Sequence, residues 1–157
     1  MKISRRAGGV RLRLDAVEAT VLAALFADFA EVMEADELAV DDDVRGRLFP
    51  AAYPGDESAT AEFRAMTESG LRTDRAERAR SCAAQLTEGG ELQLADEDAD
   101  TWIRALNDLR LTLGIRLGVT EDDVDLDRGE HDPDAQEWAV YHWLTGLQDL
   151  MVRALMR

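Results

Sequence analysis

The chain has 157 residues, of which 46% are hydrophobic, and a net charge of −15 from 33 acidic and 18 basic residues. These values favour one globular domain over residues 1–157, argue against disorder, and disfavour a large nucleic-acid footprint, because a negative surface repels phosphate. The single cysteine excludes an intrachain disulfide, and the absence of a long apolar stretch argues against a signal peptide or a membrane span; we therefore expect a cytoplasmic protein.

Residues 1–14 predict a small β-hairpin arm. Apolar residues alternate with polar ones around Gly8-Gly9, which is typical of two strands joined by a tight turn. All charged side chains of this arm are basic: Lys2, Arg5, Arg6, Arg11 and Arg13. A basic arm can bind an external anion or partner, although mixed charges usually pair within their own chain.

Helical spacing of apolar residues accounts for most of the remaining chain. The predicted helices begin at Asp15 with a capping box to Glu18, at Ser58 with a stop at Gly70, at Thr73 with a stop at Gly89-Gly90, at Asp96 with a stop at Gly118, and at Asp132 followed by Pro133. Residues 92–94 predict a short extended piece at most. The sequence therefore predicts an all-α fold, a compact bundle of about five helices with a small N-terminal hairpin.

Two segments predict loops. The segment 38–57 is rich in proline and glycine, and its Phe49 and Tyr53 suggest that it packs against the bundle. The acidic segment 119–132 resembles the start of a calcium loop, but Arg128 stands where that loop needs glycine and Asp134 where it needs glutamate. We therefore predict a solvated linker, no metal site and no cofactor.

The helix from Trp102 to Gly118 places Arg110 and Arg116 partly within its apolar side. A buried guanidinium has to be paired, because an isolated charge in the interior is very costly. We expect a structural ionic lock in which Glu62 or Glu68 pairs with Arg110. The other expected members of this lock are Arg116, Arg64, Asn107 and Asp108.

An alternative interpretation of the same helix is a ligand site for an anion. Such a site, in a binding module or a small enzyme, would use Arg104, Asn107, Arg110 and Arg116. The sequence contains no nucleophile elbow, no phosphate-cradling glycine loop and no dinucleotide fingerprint, so it favours a non-enzymatic protein.

Cys82 allows two interpretations. It lies on the apolar stripe of residues 76–86, which predicts a buried thiol. Arg75 and Arg78 lie nearby in sequence and could stabilise a thiolate, so Cys82 is also the redox candidate of this chain.

Several motifs together resemble a known family. These motifs are residues 47–53 (RLFPAAY), 62–68 (EFRAMTE), 102–118 and 143–148 (WLTGLQ). In this order they resemble an actinobacterial family with a domain of unknown function, the AosR-like family. The resemblance implies oxidative-stress transcriptional regulators that work with a stress sigma factor.

The resemblance also implies redox sensing through two cysteines four residues apart. In this sequence Cys82 has Arg78 four residues before it and Leu86 four residues after it. This sequence therefore lacks the second cysteine of the redox switch that the family resemblance implies.

The sequence thus predicts a non-enzymatic regulator that acts through a protein partner, possible partners being a sigma factor or a transcription complex. The candidate partner-binding surfaces are the segment 38–53 and the basic arm, with Arg47, Phe49, Tyr53, Arg5 and Arg6. The anion site is the second hypothesis. Direct DNA binding is the third, and it requires the arginines at positions 5, 6, 11, 13, 72, 75, 78 and 80 to form one patch.

Overall fold

The computed structural model describes residues 1–35, 42–86, 90–120 and 133–156. Over these residues the elements are β1 (Lys2–Arg6), β2 (Gly9–Leu14), α1 (Ala16–Glu34), α2 (Asp42–Leu48), α3 (Glu57–Gln85), β3 (Gly90–Ala95), α4 (Asp96–Arg116) and α5 (Ala135–Leu155). The protein is mostly helical, as predicted, but the all-α description is only approximate because three strands form a sheet. None of the described helices is long and apolar enough to cross a membrane.

The sheet is antiparallel with strand order β1-β2-β3. The predicted hairpin is present, and its turn places Gly8 at a positive φ of 77°. The segment predicted as an extended piece at most is a full strand, because Leu94 pairs with Val10 and Leu92 pairs with Leu12. This register directs the apolar side chains of β2 and β3 to one face, which packs into the core.

Gly9, the first residue of β2, lies directly against the backbone of β3. A Cβ atom at this position would lie 2.0 Å from the Leu94 carbonyl oxygen, an overlap with backbone that no side-chain movement relieves. We therefore predict that Gly9→Ala lowers the free energy of unfolding by about 3 kcal/mol or more, as for severe overpacking. Urea unfolding measures the change. Gly46→Ala is the matched control: it lies in a helix with open space around it, so the same methyl group should stabilise by up to about 1 kcal/mol.

Local capping signals define two helix ends as predicted. The Asp15 side chain accepts from the Glu18 backbone N–H and the Glu18 side chain accepts from the Asp15 backbone N–H, which completes the capping box of α1. Gly118, at a φ of 63°, ends α4: its N–H bonds to the Ile115 carbonyl while the Val119 N–H bonds to the Gly114 carbonyl.

The helix boundaries between residues 42 and 86 differ from the prediction. Part of the segment predicted as a loop forms α2, and the helices predicted to stop at Gly70 and to restart at Thr73 are one continuous helix, α3. Asp56 rather than Ser58 caps α3, with its side chain accepting from the Ala59 N–H at 2.9 Å. A glycine inside a helix costs only about 1 kcal/mol, so it ends a helix only where the fold also turns the chain.

The core lies between α1, α3, α4, α5 and the sheet. Phe26 of α1 and Trp102 of α4 meet edge to face at its centre, with ring centroids 5.7 Å apart. The indole N–H of Trp102 donates to the Gln85 side chain at 2.9 Å, so the buried polar atom is satisfied. This centre positions the charged groups on α3 and α4 that form the candidate site.

Candidate functional site

A buried ionic cluster joins α2, α3 and α4 at Asp108. Arg75 donates to the Asp108 carboxylate and, at 2.8 Å, to the Leu48 carbonyl at the end of α2. The Arg75 guanidinium also lies 5.4 Å from the centre of the Phe49 ring, and Arg78 lies 3.7 Å from the second carboxylate oxygen. Burial raises the pKa of the Asp108 carboxyl above its ordinary value, and the Arg75 charge offsets part of that increase.

A second cluster centres on Glu68, the other described charged side chain that is buried. Arg45 of α2 donates to both Glu68 carboxylate oxygens, the closer at 2.7 Å, and Arg64 lies 3.6 Å away one turn earlier in α3. Arg64 also donates to the Phe49 carbonyl at 3.1 Å. Glu68 and Arg64, which were predicted to form a lock with Arg110, thus form a cluster with Arg45 instead. The prediction missed Arg45 because it assigned that segment to a loop.

Arg110 does not take part in this lock, which corrects the prediction of Glu62 or Glu68 as its partner. It donates to the Thr145 hydroxyl at 3.0 Å and to the Gln148 side-chain oxygen, and it lies 5.7 Å from the centre of the Tyr141 ring. All three partners belong to α5, because the arginine faces α5 and not α3. A half-buried guanidinium can be satisfied by neutral acceptors and an aromatic face without a carboxylate.

The other two arginines of the predicted anion site have separate partners. Arg104 pairs with Asp100 in its own helix at 2.8 Å, whereas Arg116 lies 3.5 Å from Glu137 of α5, and both pairs are solvent-exposed. Asn107 is half-buried. The arginines of α4 thus project in different directions, and the structure does not assemble them into one anion pocket.

Most arginines of the DNA-binding hypothesis bind groups within the chain. Arg5 pairs with Asp96, Arg80 with Glu34, and Arg11 with Glu91 at 3.1 Å. Arg72 donates to the Met33 and Ala35 carbonyls at the end of α1. With Arg75 and Arg78 at Asp108, six of the eight arginines bind groups of their own protein, which disfavours a single free cationic patch.

The candidate partner-binding residues divide into buried and exposed ones. Phe49 is buried beneath Arg75, so it is a packing residue and not a surface contact, which corrects its assignment. Tyr53 is exposed and meets Phe63 edge to face at 6.1 Å. Arg47 and Arg6 are also exposed. Residues 36–41 and 121–132, with most of the predicted acidic loop, lie outside the described residues.

Cys82 lies in the core with 1% of its surface exposed, as its apolar stripe predicted. Burial raises the pKa of the thiol to about 12, although the nearby Arg78 charge lowers it. Because the thiolate is the reactive form, this environment does not support the redox candidate. Among the described residues, no group of three or more His, Cys, Asp or Glu side chains is arranged to hold a metal ion.

We predict that Cys82 of the folded chain reacts with a thiol reagent at least about 100-fold more slowly than in the urea-unfolded chain. The protein should also lose stability as the pH rises from about 9 towards 12, because the unfolded thiol releases its proton while the folded thiol retains it. The slope contributed by this group is at most about 1.4 kcal/mol per pH unit. Cys82→Ala should lack this contribution; fast labelling of the native thiol would contradict the prediction.

These features define a mostly helical protein whose arginines join its helices internally. The chain belongs to the family described as Domain of unknown function (DUF2017), whose model matches residues 1–155. The predicted family resemblance is therefore confirmed.

Among curated relatives, the chain is 38% identical over 112 residues to the oxidative stress regulator AosR of Mycobacterium tuberculosis (strain ATCC 25618 / H37Rv), with 68% of this chain and 49% of the relative covered. It is equally similar to the AosR of Mycobacterium bovis. It is 35% identical over 119 residues to a putative oxidative stress regulator AosR of Mycobacterium leprae, covering 73% of this chain and 52% of the relative. The chain thus spans about half the length of these relatives. No solved structure matches it.

Proposed function

We propose that this chain is a non-enzymatic, cytoplasmic regulator that acts by contact with a protein partner, namely a sigma factor or another transcription component. The names of its relatives as oxidative stress regulators support a regulatory role. The observation that carries the contact mechanism is an exposed apolar surface on α3 and the segment before it. We call this surface, formed by Tyr53, Phe63 and Met66, the aromatic patch.

The aromatic patch is accessible and partly preorganised. Tyr53, Phe63 and Met66 are 51%, 38% and 76% exposed. The Thr60 hydroxyl donates to the Tyr53 carbonyl at 3.0 Å, which ties the segment before α3 to its first turns. Aromatic and methionine side chains are enriched at protein interfaces, since they supply a large contact area at a modest entropy cost.

The amino-terminal half of α3 has little contact with the core. Over residues 57–75 the only buried side chain is Glu68, which is held by arginines and not by apolar packing. A helix half without a buried apolar stripe either bridges partners or depends on charged pairs for its stability. This half of α3 therefore presents the aromatic patch while the Glu68 cluster fixes its direction.

The charge distribution favours a protein partner over DNA. The net charge is −15, and most arginines of the DNA-binding hypothesis bind carboxylates or carbonyls of their own chain. Phosphate contacts would have to displace these internal partners. A protein surface that covers the aromatic patch requires no such rearrangement.

A pull-down with the full chain tests this proposal. The tagged protein is incubated with lysate of its own host, with and without oxidant, and the bound proteins are identified by mass spectrometry. We expect a transcription component that is retained by the unchanged chain and lost with Met66→Asp. Met156→Asp is the control, because Met156 is comparably exposed (82%) but lies in the last residues of the chain, outside α3. Recovery of no transcription component under either condition would overturn the proposal.

A further inference from the structure

A groove with apolar walls lies between α1, α2, α4 and α5. Its volume is about 370 Å³, and its walls include Leu25 and Val32 of α1, Val44 of α2, Leu113 of α4 and Leu144 of α5. Most of its lining is apolar, and the one hydroxyl among the lining residues that the structure describes, on Thr112, already donates to the Asp108 carbonyl. An apolar cleft of this size accepts large side chains of a ligand.

The apolar surface continues beyond the groove along α1. Val17 and Val21 are 73% and 37% exposed and precede Leu25 at successive intervals of four residues. Residues four apart lie on the same helix face, so this stripe runs about 12 Å along α1 before it enters the groove. An elongated stripe that ends in a cleft fits a helix with apolar side chains at i, i+4 and i+7 better than it fits a compact small molecule.

The rim of the groove carries one carboxylate, Asp28 of α1. Two further aspartates, Asp42 and Asp43, occupy the first turn of α2, directly before the lining residue Val44. The one cation among the described lining residues, Arg116, already faces the Glu137 carboxylate at 3.5 Å. With a net charge of −15 over the chain, the rim attracts a basic ligand and repels an acidic one.

We propose that this groove, with the Val17–Leu25 stripe, binds an amphipathic helix of a protein partner whose apolar side chains enter the groove and whose flanking basic side chains meet Asp28, Asp42 and Asp43. This inference rests on the proposed function, and it adds a second contact surface to the aromatic patch. It names the chemistry of the partner segment: a helix with one apolar face and a basic border.

Binding of two synthetic helical peptides to the full chain, measured by fluorescence anisotropy, tests the groove. Both peptides carry leucine at i, i+4 and i+7; one has lysine at its other exposed positions and the other has glutamate. We expect the lysine peptide to bind at least about tenfold more tightly, with an affinity that falls as salt increases. Equal binding of the two peptides would overturn the proposal.

Variants locate the peptide on the protein. Leu25→Gln should weaken binding of the lysine peptide at least about tenfold, and Val17→Gln, at a highly exposed position that cannot affect folding through burial, should weaken it several-fold. Asp28→Asn should also weaken it. Glu62→Gln removes the same charge from the exposed surface of α3 and should leave the affinity unchanged. An unchanged affinity in both Val17→Gln and Leu25→Gln, or equal losses in Asp28→Asn and Glu62→Gln, would contradict the proposal.

Sedimentation distinguishes the occupants of the groove, and comparison of the pull-down with the peptide measurement distinguishes the two proposals. Sedimentation shows whether the chain self-associates; a dimer that Val17→Gln dissociates would assign the groove to a second copy and overturn the partner helix. If the pull-down recovers a transcription component but the lysine peptide does not bind, the groove inference fails and the proposed function stands. If the peptide binds at the groove but no transcription component is recovered, the proposed function fails and the groove remains a site for a basic helix.

Discussion

Replacement of Arg75 by alanine is expected to lower the free energy of unfolding by about 3–5 kcal/mol, as for a broken buried ion pair. The variant leaves the buried Asp108 carboxylate without its principal partner, and it also removes the hydrogen bond to the Leu48 carbonyl and the contact with Phe49. Urea or thermal unfolding followed by circular dichroism measures the loss. A decrease below about 1 kcal/mol would show that Arg78 alone satisfies Asp108.

The dependence on pH distinguishes an electrostatic loss from a packing loss. Without Arg75, the pKa of Asp108 should rise further above its ordinary value, because burial then acts with less opposition. A carboxyl whose pKa is raised in the folded state makes the protein less stable as the pH rises above the ordinary carboxyl pKa. The deficit of Arg75→Ala should therefore be smaller at about pH 4 than at about pH 7.

Two control variants accompany this prediction. Arg104→Ala removes an exposed pair within one helix and should cost no more than about 0.5 kcal/mol. The double variant Arg75→Ala/Asp108→Asn should be less destabilised than the sum of its single variants, because removal of both charges leaves no buried carboxylate without its main partner.

Replacement of Trp102 by alanine is the second change with a large expected effect, a loss of about 3–5 kcal/mol. The indole is fully buried, packs edge to face on Phe26 and donates to Gln85, so the variant creates a cavity and removes the donor at once. Thermal or urea unfolding again measures the change. The loss should exceed that of any single substitution at an exposed position.

One further variant separates the packing from the hydrogen bond of Trp102, and a second serves as a control at an exposed position. Trp102→Phe retains an aromatic contact with Phe26 but leaves the Gln85 side-chain oxygen without its donor, so it should cost less than alanine. Met156→Ala truncates a side chain that is 82% exposed and should change stability by no more than about 0.5 kcal/mol. Equal losses in Trp102→Phe and Trp102→Ala would mean that the hydrogen bond, and not the packing, dominates.

Features that depend on neighbouring residues could be predicted from the sequence. The capping box of Asp15 and Glu18, the stop at Gly118 and the burial of Cys82 each follow from residues within about one or two helical turns. The prediction that a helix ends at Gly70 was wrong, because the local sequence alone does not decide where a helix ends. A glycine permits a helix end without requiring one, and here the chain continues straight through it in α3.

The sequence indicated which charged residues need a partner inside the protein, but not which residues pair with each other. Asp108, Glu68 and Arg64 were expected in an ionic lock, since charged residues on apolar helix faces need partners. Which cation meets which carboxylate depends on how the helices are oriented: Arg75 of α3 meets Asp108, whereas Arg110 turns to the neutral side chains of α5. Residues about 30 positions apart carry no mutual signal in one sequence, so these pairs could not be assigned before the fold was known.

The sequence by itself determined the mostly helical character of this protein, its acidic balance, the basic hairpin and the absence of a second cysteine, because these depend on composition and on short-range periodicity. Only the tertiary structure decided that β3 pairs with β2, that the arginines bind groups of their own chain, and that apolar surface remains exposed at the aromatic patch and in the groove. The physical reason is that burial and ion pairing depend on the three-dimensional approach of distant segments. Which side chains become buried, which become paired and which stay exposed is therefore decided only when the helices pack together.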